Sequence, residues 1–273
     1  MYTQYARTAA DIVREAGQFL KHFSDDHRLR VENKGSDFDF VTNADRESQA
    51  LIARSLREAF PGHRFVGEED GVPDAAIAQM LAAGGEDDYF WICDPLDGTV
   101  NYIHHLGVYA VSVGLVHRGQ SVAGAICLPE TGEVFHAARG AGAFLNGRPI
   151  RTSGCDSLHR AYVVSDKPVV DMDMRRRYVG WSGSVAMRAS NLRMLGSACS
   201  AIAMAACGRI DAYWDMGVHP WDVAAGIVLL EEAGGVVTDI FSRPFHFDMT
   251  GGFLGCAPGL RGAFAGVIRE DVP

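Results

Sequence analysis

Apolar residues recur at helical spacing from the start of the chain. Tyr5, Ala9, Ile12, Ala16, Phe19 and Phe23 alternate with Arg7, Asp11, Arg14 and Glu15, as in an amphipathic helix. A second helix is predicted from Thr42, whose hydroxyl caps it with Asp45 three residues on, to Ala59, where Pro61-Gly62 stops it. Strands are predicted at Arg64 to Val66 and Tyr89 to Cys93. A hairpin of Val108 to His117 and Ser121 to Leu128 turns through Arg118-Gly119-Gln120. Glu133 to Ala138 and Gly142 to Leu145 extend that sheet towards an Asn146-Gly147 turn. After about Cys155 the pattern changes to alternation. Strands at Tyr162 to Ser165, near Leu192, at Ile210 to Trp214 and at Val236 to Asp239 are interleaved with helices at Val170 to Tyr178, Ala198 to Cys207 and Trp221 to Glu232. The expected class is α/β (α+β). Helices pack on an antiparallel sheet in residues 1–155, and a more α/β-like layer set follows in 156–273, with the ligand cleft at their shared interface.

Composition narrows this picture. The 273 residues are 48% hydrophobic and 22% charged, which excludes disordered, collagen-like and disulfide-scaffold classes. A net charge of −9 argues against sequence-independent nucleic-acid binding, which needs a basic surface. The six cysteines form no C-x-x-C pair and read as buried thiols of a reducing compartment, and no apolar run is long enough to span a bilayer. The expectation is a cytoplasmic protein with no membrane and no nucleic-acid partner.

The densest chemical signal is Trp91-Ile92-Cys93-Asp94-Pro95-Leu96-Asp97-Gly98-Thr99, where an apolar strand delivers two carboxylates three positions apart. The free N–H groups of Gly98 and Thr99, opening the next helix, suit an anion. Oxygen ligands without Cys or His suit Mg²⁺ rather than zinc. Gly67-Glu68-Glu69-Asp70 follows another short apolar strand, and alone it reads as a solvated acidic loop. Asp222, in His219-Pro220-Trp221-Asp222, lies in the first turn of an apolar helix, where complementing the helix dipole is the plain alternative to a ligand role.

Taken together, Asp39-Phe40-Val41-Thr42-Asn43-Ala44-Asp45, Gly67-Glu68-Glu69, Asp94-Pro95-Leu96-Asp97-Gly98-Thr99-Val100-Asn101 and Trp221-Asp222-Val223-Ala224-Ala225-Gly226 resemble the inositol monophosphatase family in order and spacing. Phe144-Leu145-Asn146-Gly147 is similar to that family's sheet region. The resemblance implies a layered αβαβα sandwich and a phosphomonoesterase using two or three Mg²⁺ ions. It implies that Glu68, Asp94 and the Leu96 carbonyl hold a first ion, that Asp94, Asp97 and Asp222 hold a second, and that Glu68 shares a third. Asp45 and Thr99 then orient and deprotonate the attacking water, and Lys34 lies near the phosphate. Asp97, Gly98, Thr99 and Asp222 share the substrate side, where Gly196, Ser197, Ala198 and Asp215 meet the alcohol. A homodimer is implied as well.

A covalent aspartyl-phosphate mechanism is disfavoured, because Asp94 and Asp97 stand three apart and the Asp-x-Asp-Gly-Thr motif needs two. No G-x-x-x-x-G-K-[ST] occurs, and the ten histidines read as surface or packing residues. The expected substrate is a small phosphorylated alcohol, inositol 1-phosphate first. Fructose 1,6-bisphosphate, histidinol phosphate and nucleotide 3′-phosphates are the alternatives, with a non-catalytic scaffold as the reading of a different class. Inositol-specific relatives carry Glu where this chain has Asp215. Arg175-Arg176-Arg177, Arg188 and Arg193 read either as a clamp for a second phosphate or as a solvated basic face.

Overall fold

The computed structural model describes residues 2–25, 29–36, 39–166 and 172–268, with the side chains of 24, 25, 33–36 and 39 outside that description. In chain order the N-terminal elements are α1 (Tyr2–Asp25), β1 (Val31–Ser36), β2 (Asp39–Thr42), α2 (Asn43–Ala59), β3 (Arg64–Gly67), α3 (Asp74–Ala83), β4 (Tyr89–Asp97), α4 (Thr99–Ile103), β5 (Ala110–His117), β6 (Gln120–Leu128), β7 (Glu133–Ala138), β8 (Gly142–Leu145) and β9 (Arg148–Pro149). The chain continues through β10 (Tyr162–Ser165), α5 (Met172–Ala186), β11 (Asn191–Arg193), α6 (Ala198–Ala206), β12 (Ala212–Asp215), α7 (Pro220–Glu232), β13 (Val236–Thr238), β14 (Phe253–Cys256) and α8 (Arg261–Ala265).

Strands β3 to β9 form a seven-stranded sheet in sequential order, and β11-β10-β12-β14-β13 form a five-stranded one. Apolar faces stack these into five layers. Ala9, Val13, Ala16 and Leu20 of α1 and Ile52 and Leu56 of α2 cover one face of the large sheet at Trp91, Val113 and Ala125. Helices α6 and α7 fill the space between the sheets, packing Ile202, Val228 and Leu229 with Ile126 and Phe135 on one side and Tyr213 and Phe253 on the other. Tyr178, Trp181 and Val185 of α5 and Phe264 of α8 close the far face against Trp214 and Leu254. This is the expected αβαβα sandwich.

Two differences from the sequence reading have local causes. The large sheet is not wholly antiparallel: β3 pairs parallel with β4. A parallel neighbour needs a crossover, and α3 supplies it. Its sequence Asp74-Ala-Ala-Ile-Ala-Gln-Met-Leu-Ala-Ala83 buries only Ile77 and Leu81, too weak a stripe for periodicity to mark. Strand β14 was missed too. Its four residues are buried on both faces in the interior of the small sheet, so they show no alternation. The helix expected at Val170 to Tyr178 runs from Met172 to Ala186, with 170 and 171 outside the described residues.

Helix α7 lies close on β5 and β6, and two glycines permit it. A Cβ on Gly114 would stand 2.5 Å from the backbone of Ala224 and Ala225, and one on Gly124 would stand 2.8 Å from the Ala225 Cα. Backbone cannot swing aside as a side chain can. Gly114→Ala is therefore expected to lower stability by about 1–3 kcal/mol by overpacking and to displace Asp222 on the same helix. Thermal melting and an activity assay of the purified variant check both effects.

Candidate metal-dependent active site

Four loops or strand ends converge where the two sheets meet, around a cleft of ≈ 1090 Å³ lined by Glu68, Asp94, Leu96, Asp97, Gly98, Thr99, Gly196, Asp215, His219 and Asp222 among others. Strand β4 does not stop at Cys93 as expected but runs to Asp97, and its pairing with β5 slips between Asp94 and Asp97. Pro95 sits in that irregularity, where a missing N–H breaks no ladder bond. The slip turns Asp94 and Asp97 into one space, with a carboxylate oxygen of each and the Cys199 Sγ all within 4.8 Å of one another. Leu96 N donates to Asp94 Oδ1 at 3.0 Å, which fixes that carboxylate. Gly98 then makes the turn into α4 at φ 91, a left-handed conformation with no room for a Cβ, which would lie 3.0 Å from the Val108 carbonyl and 3.1 Å from that of Gly196.

Asp97 Oδ2 accepts from Ser197 Oγ at 2.5 Å and from Cys199 N at 2.7 Å, tying it to the start of α6. Asp222 caps its own helix by accepting from His219 N at 2.6 Å, so the dipole-complementing role expected of it is real and coexists with its place in the cleft. Glu68 opens a short 3₁₀ turn held from behind. Asp70 Oδ2 accepts from Gly67 N at 2.8 Å, and Gln49 donates to Asp70 Oδ1 at 2.9 Å and accepts from Glu69 N at 2.9 Å. Of the three adjacent acids, Asp70 is thus scaffolding, while Glu68 and Glu69 line the cleft.

Asp45 is fully buried. Its Oδ2 accepts from the Thr42 backbone N at 2.8 Å and from Thr42 Oγ1 at 2.5 Å, completing the expected capping box. Its Oδ1 accepts from Thr99 Oγ1 at 3.0 Å, and the same hydroxyl lies 3.1 Å from the Leu96 carbonyl. One hydroxyl proton cannot serve both acceptors at once.

The electrostatics are those of several carboxyl groups crowded into one space. Burial first, then the charges of Glu68, Asp97 and Asp222, hold the Asp94 carboxyl well above the usual range. Burial and Asp222 raise Asp97 to about 7. Burial raises Asp222 as well, and it raises Asp215 to about 8. Asp45 is raised by burial, against the lowering effect of its Thr42 hydrogen bonds. His219 would be lowered by burial, but its Nδ1 meets Asp74 Oδ2 at 2.9 Å, and that bond and the charge of Asp222 carry it to about 9. Uncompensated buried carboxylates are costly, and an all-oxygen set of this kind fits a hard divalent cation. Cys199 does not compete as a ligand. Its thiol donates to the Asp222 carbonyl at 3.2 Å and is held protonated by burial and the surrounding carboxylates.

The remaining expected positions divide. Gly196 and Asp215 line the cleft, whereas Ser197 spends its hydroxyl on Asp97 and Ala198 lies in the core between the sheets. Lys34 belongs to β1, with its side chain outside the described residues. Sequence reading missed Gln49 and Asp74, and it took His219 for a surface or packing residue although it lines the cleft. The one available signal was that His219 is the capping position three residues before Asp222.

Fold and donor set together define a layered α/β protein whose cleft gathers oxygen donors that fit a hard cation. The chain belongs to the inositol monophosphatase family, whose sequence model matches residues 1–271. Members of that family are generally metal-dependent phosphatases. The chain is 37% identical to an inositol-1-monophosphatase of Mesorhizobium japonicum, covering 83% of this chain and 82% of that one. It is 38% identical to the Nus factor SuhB of Pseudomonas aeruginosa, again over 83% and 82%. The solved inositol monophosphatase of Anabaena superposes with a TM-score of 0.81 at 31% identity, over 99% of this chain and 97% of that one.

The raised carboxyls set a pH dependence. The folded protein binds protons more tightly at Asp97 (about 7) and Asp215 (about 8) than the unfolded chain, where Asp titrates near ~4. The stability they contribute is complete below that unfolded value and is lost as pH rises through 7 and 8. Metal-free protein should therefore melt at higher temperature at pH 5.5 than at pH 8.5, and Mg²⁺ should raise the melting temperature more at pH 8.5. Scanning calorimetry with and without Mg²⁺ measures both shifts.

Proposed function

We propose that this protein is a Mg²⁺-dependent phosphomonoesterase that hydrolyses a small phosphorylated alcohol, inositol 1-phosphate first, by direct attack of water without a covalent intermediate. The observation that carries the reading is the Thr99–Asp45 pair, 3.0 Å apart, at the edge of a cluster of carboxylates in the same cleft. Glu68, Asp94 and the Leu96 carbonyl would hold one ion and Asp94, Asp97 and Asp222 another, with Glu68 shared if a third binds. Bound Mg²⁺ supplies neutralisation of the phosphate and leaving-group charge and lowers the pKa of water.

The chain's own residues do the positioning. Because Thr42 occupies Asp45 Oδ2, only Oδ1 is left to take the Thr99 proton. With its proton so directed, Thr99 Oγ1 presents a lone pair to the water and orients it. The raised Asp45 pKa makes that carboxylate a better proton acceptor than a solvated one. The amides at Gly98 and Thr99, and Lys34, receive the phosphate. Asp215 faces the alcohol, and its shorter reach relative to a Glu leaves room for a bulkier group. We read the chain as a cytoplasmic protein and, as the family resemblance implies, a homodimer. No helix among the described residues is long and apolar enough to cross a membrane.

The Nus factor relative favours a second reading, a non-catalytic partner role, and the expectation of no nucleic-acid partner is not carried into it. Retention of all five carboxylates supports the enzyme. Phosphate release measured over inositol 1-phosphate, fructose 1,6-bisphosphate, histidinol phosphate and a nucleotide 3′-phosphate, with and without Mg²⁺, separates the two. Release that needs Mg²⁺ is expected, and none on any ester leaves the partner role.

Asp94→Asn and Asp97→Asn should each abolish Mg²⁺-dependent release while the melting transition persists, and full turnover by either overturns the assignment. Thr99→Ala should lower kcat by about 10²–10⁴-fold with KM little changed, the loss typical of a proton-transfer group.

A further inference from the structure

Asp166, directly after β10, has no part in the chemistry above. Its Oδ1 accepts from two successive amides, Leu195 N at 2.8 Å and Gly196 N at 2.7 Å. Its Oδ2 is buried with no hydrogen-bond partner among the described residues. Gly196 has φ +71 and lines the cleft at its alcohol end. Successive backbone N–H groups converging on one point beside a left-handed residue form a concavity that binds anions. Here a carboxylate of the chain itself fills it. Asn101 Nδ2 takes the carbonyls on the other side of the same segment, Leu195 O at 2.7 Å and Gly196 O at 3.3 Å, so that the segment is held from both sides.

Asp166 adds to the acidic side of the cleft. Asp166 acts electrostatically on both Asp97 and Asp215. Among the described residues that line the cleft the cationic ones are Arg46 and His219, and each is already paired, with Glu32 at 2.7 Å and Asp74 at 2.9 Å. The arginines that suggested a second phosphate clamp do not line it. Arg176 meets Asp173, Arg188 donates to the Ser184 carbonyl and Arg193 to the Leu192 carbonyl.

We propose that Asp166 is a specificity-determining residue: it fills the anion nest at Leu195–Gly196 and adds negative charge beside Asp215, so that esters carrying a second phosphate are rejected and monophosphates of uncharged alcohols are accepted. Rejection by a built-in repulsive group is a general route to specificity. The proposal rests on the phosphomonoesterase reading and deepens it.

The test compares kcat/KM for inositol 1-phosphate and fructose 1,6-bisphosphate, with Mg²⁺, in wild type, Asp166→Ala and Asp166→Asn. Alanine empties the nest and removes the charge, whereas asparagine keeps an acceptor for both amides and removes only the charge. Wild type is expected to favour the monophosphate. Asp166→Ala should shift the ratio towards the bisphosphate by about tenfold or more, as relief of like-charge repulsion requires, and Asp166→Asn should shift it less. A role confined to structure would lower both rates together. An unchanged ratio in both variants, or a wild type that prefers the bisphosphate, overturns the proposal. If Asp166→Ala does not fold, an unchanged ratio in Asp166→Asn alone does so. If wild type hydrolyses neither ester, the phosphatase reading is decided by the wider panel above, and calorimetry with sulfate still decides the nest: Asp166→Ala should bind sulfate where wild type does not, and equal binding overturns the assignment.

Discussion

The structure is organised around the mutual repulsion of buried carboxylates. Asp94, Asp97, Glu68 and Asp222 come from β4, from the turn after β3 and from α7, and they meet in one low-dielectric space. Packing alone would not hold such groups together, since each raises the proton affinity of the next. Three of them are pinned by hydrogen bonds from their surroundings: Leu96 N on Asp94, Ser197 and Cys199 on Asp97, and the His219 amide on Asp222. The fold contributes the stability that holds these repelling groups together.

The cluster sits at the junction of the sheets because its acids come from both halves of the chain. A cage gathered from both halves of the chain can be closed only where the halves meet, and α7 crosses that junction. It packs on the large sheet at Gly114 and Gly124 and on α6 through Gly226 against Ile202. Its first turn brings Asp222 to the carboxylates of β4. Rigid helix–sheet contact thereby sets how these carboxylates face one another, and under the proposed function cations would turn the acidic cluster into a receptor for an anion.

The same principle, a charge satisfied or left wanting by backbone amides, recurs around the cleft. Asp70 closes the turn behind Glu68, Thr42 holds the far oxygen of Asp45, and Asp166 fills the pair of amides at Leu195 and Gly196. These contacts leave specific oxygens and amides free and occupy the others, and that division sets which partner each group can still take.

Both amphipathic helices, the capping box at Thr42 and the identity of the acids were legible in the sequence, because periodicity and short motifs are local properties of the chain, whereas the layer order came only as an implication of the family resemblance. The parallel β3–β4 pair was not legible, since it depends on α3, whose apolar stripe is only two residues wide. Strand β14 was hidden by burial on both faces. The bond from Ser197, a residue expected at the alcohol, to Asp97 was not legible, and Asp166 was not found at all. Ser197 reaches Asp97 across 100 positions and Asp166 reaches Gly196 across 30, and no spacing rule links residues that only the folded chain brings together. By itself the sequence determined which groups carry charge and on which elements they sit. Tertiary structure alone decided which of those charges face one another, because repulsion and hydrogen bonding act through distance in space rather than along the chain.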